Sequence, residues 1–282
     1  MNARIGRIGL LVFLALAALA FAAPLYVMLA TSLKPLEEIR AGGLFALPQQ
    51  PDLAAWRLAW QGDCADAACG LRAGLLNSVA ITLPATVLPV LLGALNGYAL
   101  SFWRVRGANL LFALLMAGAF VPLQVMVYPL VHALALIGWF GSLPGIVLVH
   151  TIFSMPMLTL LFRNYYLAVP RELFHAARID GGGFLRIFVQ LMLPLSLPML
   201  AVAAILQATG VWNDYLLGLV FAGPDHQPMT VQLNNLVNTT TGQRLHNVNM
   251  AATVITALGP LVLYVCAGRW FVRGITAGAV KG

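Results

Sequence analysis

Charge is what this chain has least of. Only 9% of its 282 residues are charged, against 61% hydrophobic. A soluble domain carries roughly 25% charged residues, so the composition excludes an ordinary globular enzyme and reads as an all-α integral membrane protein. Lysine is nearly missing, with Lys34 and Lys281 the two present. Neither follows a glycine-rich loop, so the phosphate cradle that ends in a lysine is not available. No cofactor is expected on the chain itself, and no catalytic residue. Cysteine is scarce as well. Cys64, Cys69 and Cys266 have neither metal-ligand spacing nor a redox spacing, so no metal site is expected. Cys64 and Cys69 share one polar stretch, where a local disulfide would form if that stretch faces an oxidising compartment. Cys266 lies in an apolar run and reads as a small buried side chain. Acids are missing from the apolar runs except for Asp214, which argues against a stand-alone, ion-coupled secondary sugar transporter or channel as the alternative function. The formal charge of +7 would suggest nucleic acid in a soluble protein. Here the positions of the charges report orientation in a lipid bilayer instead, and no nucleic-acid partner is expected.

What the chain does have is long uncharged runs. A helix needs about 20 apolar residues to cross roughly 30 Å of hydrocarbon. Residues 9–33, 75–102, 109–134, 144–163, 191–217 and 250–269 each meet that length, so 1–282 reads as a single six-span transmembrane domain. Arg4 and Arg7 precede the first run, whose length exceeds a signal-peptide core and favours an uncleaved span. The polar segment 34–72 includes a short amphipathic piece near Trp56 and Trp60, and 222–249 is polar again. Of the sixteen Lys and Arg residues, eleven fall on the side of the termini and five on the other. The positive-inside tendency makes the first side cytoplasmic, with both termini there. The cysteine pair then lies outside.

The long polar interruption of the second half is the loop 164–190, followed by Leu193-Pro194. Pro170 suits the first turn of a helix, and Glu172 sits where the helix dipole favours an acid. Ala176 and Ala177 form a slim helical surface, and Gly181, Gly182 and Gly183 stop the helix. Such a helix between two spans is a handle for a soluble partner.

The order Ala176-Ala177, Gly181, Leu191, Leu193-Pro194 resembles the cytoplasmic loop of ABC-importer permeases, whose signature is Glu-Ala-Ala, three residues, Gly, nine residues, Ile, one residue, Leu-Pro. His175 stands in place of the Glu and Leu191 in place of the Ile. The residues from Gly268 to Gly282 are similar to the tail of maltose-type second permeases. Trp212-Asn213-Asp214-Tyr215-Leu216 and Asn247-Val248-Asn249-Met250 look like glucose/mannose-type permeases. The resemblance implies the type I ABC-importer permease fold in the inner (plasma) membrane. It also implies a permease subunit that moves a sugar, of glucose or mannose type or a related monosaccharide, without an ATPase site of its own. The implied partners are an ABC ATPase dimer that uses ATP and Mg, a second and different permease subunit, and a periplasmic sugar-binding protein. On that reading Glu172, His175, Ala176, Ala177, Asp180 and Gly181 couple to the ATPase, and Gly278 and Lys281 in the tail 270–282 contact it. Whether His175 weakens docking or gives it a pH dependence stays open.

Trp212, Asn213, Asp214 and Tyr215 are candidates for the substrate path. A carboxylate and an amide bond hydroxyls, while aromatic rings cover an apolar sugar face. An interfacial aromatic belt with a solvated acid is the alternative. His132 and His150 read as packing or interfacial residues. Asn96, with Gly93 and Gly97, reads as close helix packing.

Overall fold

The computed structural model describes residues 2–62, 70–238 and 245–279, and every regular element among them is helical. The chain divides into two compact units, 1–73 with 232–258, and 74–231 with 259–282.

The first unit contains α1 (Asn2–Ser32), α2 (Leu36–Ala41) and α3 (Ala54–Gln61), with the first part of the last helix, α14 (His246–Ala279). α3 is the amphipathic piece expected around Trp56 and Trp60. It buries Ala55 and Ala59, and the Trp56 indole N–H donates to Ser32 Oγ at 3.2 Å. Lys34 is buried, and its backbone carbonyl accepts from Asn247 Nδ2 at 3.1 Å.

The second unit is organised on α4 (Leu71–Phe102) and α7 (Leu143–Leu167). These two helices touch through glycine. A Cβ on Gly93 would lie 2.7 Å from the Leu158 Cβ, and one on Gly97 would lie 2.7 Å from the Arg163 backbone nitrogen. Backbones approach this closely only where side chains are absent, a common way to join helices in lipid. Around this pair stand α5 (Ala108–Ala119), α6 (Leu123–Leu136), α8 (Arg171–Ile179), α9 (Phe184–Ile187), α10 (Leu193–Leu195), α11 (Leu197–Asn213) and α12 (Leu216–Phe221). α13 (Met229–Asn238) starts in this unit and from Gln232 belongs to the first, so the polar stretch 222–249 is not all loop.

Among the described residues, four helical stretches are long and apolar enough to cross a membrane: Gly6–Ser32, Leu71–Phe102, Leu143–Leu167 and His246–Gly268. The expected third and fifth spans take a different form. Each is a bent pair, α5 with α6 at 105°, and Phe184–Leu195 with α11 at 80°. Up to six spans result if each pair counts as one. Proline explains both breaks. Pro122 disfavours helix at Val121 and restarts the chain as the residue before α6. Pro198 has no N–H to return to the carbonyl of Pro194, so the ladder opens at Ser196. α7 stitches that opening: Tyr165 OH donates to the Leu195 carbonyl at 2.7 Å, and Tyr166 OH to Ser196 Oγ at 3.2 Å. Hydropathy alone sees neither bend, because the apolar run continues through both.

Cys266 departs from expectation. It is exposed on α14, because the outer face of a membrane-spanning helix needs apolar residues as much as a core does. Cys64, Cys69 and Lys281 lie outside the described residues.

Candidate functional site

The handle between α7 and α11 is a rigidly mounted helix. α8 begins after Pro170, carries Glu172 in its first turn and ends at Asp180. Gly181 follows in the left-handed conformation, φ +75°. The Gly182 N–H returns to the Ala177 carbonyl at 2.9 Å, and the Gly181 N–H to the Arg178 carbonyl at 3.1 Å. These are the two bonds of a Schellman stop. It closes the helix on the glycine that the sequence singles out, and turns the chain into α9.

One face of α8 holds it to its own unit. Phe174 is 8% exposed. Its ring stacks on Phe102 at 5.0 Å between centroids and meets the edge of Trp103 at 5.7 Å. Tyr98 and Phe184 complete the cluster, 5.0 Å apart. The Tyr98 hydroxyl donates to the Phe184 carbonyl at 3.2 Å, which ties the far side of the glycine turn to α4. The Arg178 guanidinium lies 4.7 Å over the Trp103 ring. Burying Phe174 stabilises the mount by about 1.5–3 kcal/mol, and each aromatic pair adds about 0.5–1.5 kcal/mol.

The opposite face is free of its own unit. Glu172, His175, Ala176 and Ile179 recur at i, i+3, i+4 and i+7 and are all exposed, Ile179 at 86%. Ala177 is half-buried toward the mount, and Asp180 is exposed at the helix end. An acid, an imidazole, an alanine and a bare isoleucine on one outward stripe make a small surface with an apolar centre and polar flanks.

The four candidates for a substrate path do not converge. Trp212 and Asn213 end α11. Asp214 turns back onto the next helix, where its Oδ2 accepts from the Gly218 N–H at 3.0 Å, and its carbonyl accepts from Thr230 Oγ1 at 2.6 Å. This carboxylate organises the start of α12. Asn213 and Tyr215 are exposed. Trp212 points the other way, lining an apolar cavity of about 500 Å³ with Thr86, Ala204 and Gly259. His150 is buried in α7. Gly278 lies in the last turns of α14.

A sequence-family profile for the inner-membrane components of binding-protein-dependent transport systems matches residues 85–276, which include the whole mounted helix. The chain belongs to that family. Its permease character is shared by several relatives. It is 36% identical over 254 residues, 89% of this chain and 84% of the other, to the osmoprotective compounds uptake permease GgtD of Synechocystis sp.. It is 38% identical to the alpha-glucoside transport system permease AglG of Rhizobium meliloti, over 76% of this chain and 58% of that longer protein. It is 33% identical to the arabinooligosaccharides transport permease AraQ of Halalkalibacterium halodurans, over 73% of each. In fold it matches a chain of a bacterial alginate ABC importer with a TM-score of 0.80 over 96% of its length, at 20% identity.

The permease is thus a multi-pass membrane protein with an ABC-importer permease fold. Motif reading singled out Glu172, His175, Ala176 and the glycine stop, but not Ile179 on the same outward stripe, and it included Ala177, which turns toward the mount. It missed Phe174, Tyr98, Phe102 and Trp103. The signal was present as Tyr98, Phe102 and Trp103 at the end of α4 and a single phenylalanine in α8.

Proposed function

We propose that this permease is one of two different membrane subunits of an ATP-driven sugar importer of the inner (plasma) membrane, and that α8 is where the importer's ATPase pair grips it. The observation that carries this reading is the split character of α8: one face locked to Tyr98, Phe102 and Trp103, the other exposed as Glu172, His175, Ala176 and Ile179. A helix mounted this way moves with α4 and α7, so a push on its outward face reaches the bundle.

ATP and Mg belong to the partner ATPases, and this subunit contributes no catalytic residue. Gly278 and Lys281 in the tail make a second contact with the ATPases. A periplasmic sugar-binding protein delivers substrate to the polar stretches 34–72 and 222–249. The relatives named for alpha-glucosides and arabinooligosaccharides support a sugar as cargo, and the Trp212–Leu216 resemblance favours a glucose- or mannose-type monosaccharide. Asn213, exposed at the end of α11, is the member of the candidate path best placed to meet it. Cys64 and Cys69 fall on the binding-protein side on this reading, where an oxidising compartment would allow a disulfide between them.

The test is co-purification followed by reconstitution. The tagged chain should bring down an ATPase and a second permease, and the assembled complex should import labelled sugar only with ATP and binding protein. Sugar import by the chain reconstituted alone would overturn the proposal.

A further inference from the structure

Two cavities of the second unit differ in chemistry. The one beside Trp212 is almost wholly apolar. The other, about 360 Å³, opens between α7 and α11, and its lining is mixed. Phe153, Met157 and Leu206 give it an apolar wall, and His150, Ser154 and Gln207 a polar one. A ligand pocket for a small molecule starts at about 300 Å³ and combines such a wall with a few placed polar groups.

A primary amide in the middle of a membrane-spanning helix is costly unless it is paired or serves a wet path. The Gln207 Nε2 donates to Ser154 Oγ at 2.6 Å and to the Ala85 carbonyl at 3.0 Å. Ser154 Oγ in turn donates to the His150 carbonyl at 2.6 Å. Three helices therefore fix the amide. With both of its N–H groups engaged, the side chain offers a ligand its Oε1 acceptor. His150 and Ser154 are one turn apart on α7, so the imidazole and the hydroxyl share a face. His150 is 6% exposed and is among the residues that line the same cavity.

We propose that this cavity is a subsite for a neutral polyhydroxylated solute of monosaccharide size, carried by this permease's own side of the transport path. Solute hydroxyls donate to Gln207 Oε1 and Ser154 Oγ, and the solute's C–H face lies on Phe153. The lining holds no Lys, Arg, Asp or Glu, so nothing in it compensates a phosphate or carboxylate. The subsite rests on the sugar-importer reading.

The experiment uses the complete importer in proteoliposomes, with labelled maltose, glucose and mannose as probes and sugar imported per ATP hydrolysed as the readout. Wild-type complex must first import at least one probe. An assembled, ATP-hydrolysing complex that imports none of them overturns the sugar reading, and the subsite with it. Two variants then address the subsite itself. Ser154→Ala removes a hydroxyl, and the ratio of sugar to ATP should fall roughly three- to tenfold, the weight of one neutral hydrogen bond. Gly210 lines the cavity, and a Cβ there meets nothing within 4 Å, so Gly210→Leu grows into the open volume and should lower the ratio at least tenfold. A purely structural role for these residues would lower import and ATP hydrolysis together and leave the ratio unchanged. An unchanged ratio in Ser154→Ala, with wild-type import established, overturns the subsite even if Gly210→Leu fails to assemble.

Discussion

Replacing Gly181 separates the backbone role of the glycine stop from any demand on space. Its φ of +75° lies in the left-handed region, and a Cβ built there meets nothing within 4 Å. An L-residue pays about 1–2 kcal/mol to hold that conformation. Should the residue leave it, the returns from Gly181 and Gly182 to Arg178 and Ala177 are lost, at about 0.5–1.5 kcal/mol each. By either route the mounted form of α8 is weakened by about 1–3 kcal/mol, a factor of roughly 5 to 150 in local opening. Alanine and leucine should cost the same, because the space is open. Asparagine, which tolerates left-handed geometry, should cost less. The expected order is Gly, then Asn, then Ala equal to Leu. It should appear in hydrogen exchange of the α8 amides and in import per ATP of the reconstituted complex, with membrane insertion unchanged. Gly181→Ala at wild-type protection would refute the conformational argument. Gly181→Leu far worse than Gly181→Ala would place the cause in side-chain volume against a docked partner.

Other perturbations address the mount, the bundle and the docking face. Phe174→Ala empties the ring's place against Phe102 and Trp103 and should lower local stability by about 3–5 kcal/mol; limited proteolysis within 164–190 should speed up while the spans stay intact, and unchanged cleavage would contradict the mount. Gly97→Leu drives a side chain into the Phe162–Arg163 backbone, and the yield of assembled protein should fall much more than for Gly210→Leu; equal yields would deny the close approach of α4 and α7. His175→Glu adds an outward acid to an exposed stripe, where a new ion pair contributes about 0.2–1 kcal/mol, so ATPase affinity should change by less than about sixfold; a larger change would mean that residue 175 is buried on docking. Asp214→Asn keeps an oxygen acceptor for the Gly218 N–H and should preserve assembly, whereas Asp214→Ala removes the acceptor and should lower thermal stability by about 1 kcal/mol or more; equal stability would remove the capping role.

The two halves of α8 were not equally readable in the sequence. Pro170, the alanine pair and the glycine triplet mark a short helix with a stop, and local chemistry fixes such features wherever they occur. The mount was hidden because it joins Phe174 to aromatic residues some seventy positions earlier, and no local pattern announces which aromatic meets which. Four of the long apolar runs coincide with helices long and apolar enough to cross a membrane, and two with bent helix pairs. The bends at Val121 and Ser196 were recoverable from Pro122 and Pro198, but hydropathy averages over a proline. Asp214 shows the reverse case. An acid beside aromatic residues suggests a ligand, yet its carboxylate is turned onto the α12 backbone, a choice made by the chain's path after Asn213. Gln207 carried no motif at all. Its meaning comes from Ser154 and Ala85, which only folding brings to it.

On the proposed function, α8 presents its Glu172–Ile179 face to an ATPase while Phe174 stays packed on Phe102 and Trp103. A photo-crosslinking amino acid placed singly along α8 in the assembled importer tests it most directly. Outward positions 175, 176 and 179 should give ATPase adducts, and the inward position 174 should give none. Adducts from 174 matching those from 176, or no ATPase adduct from any outward position, would contradict the account.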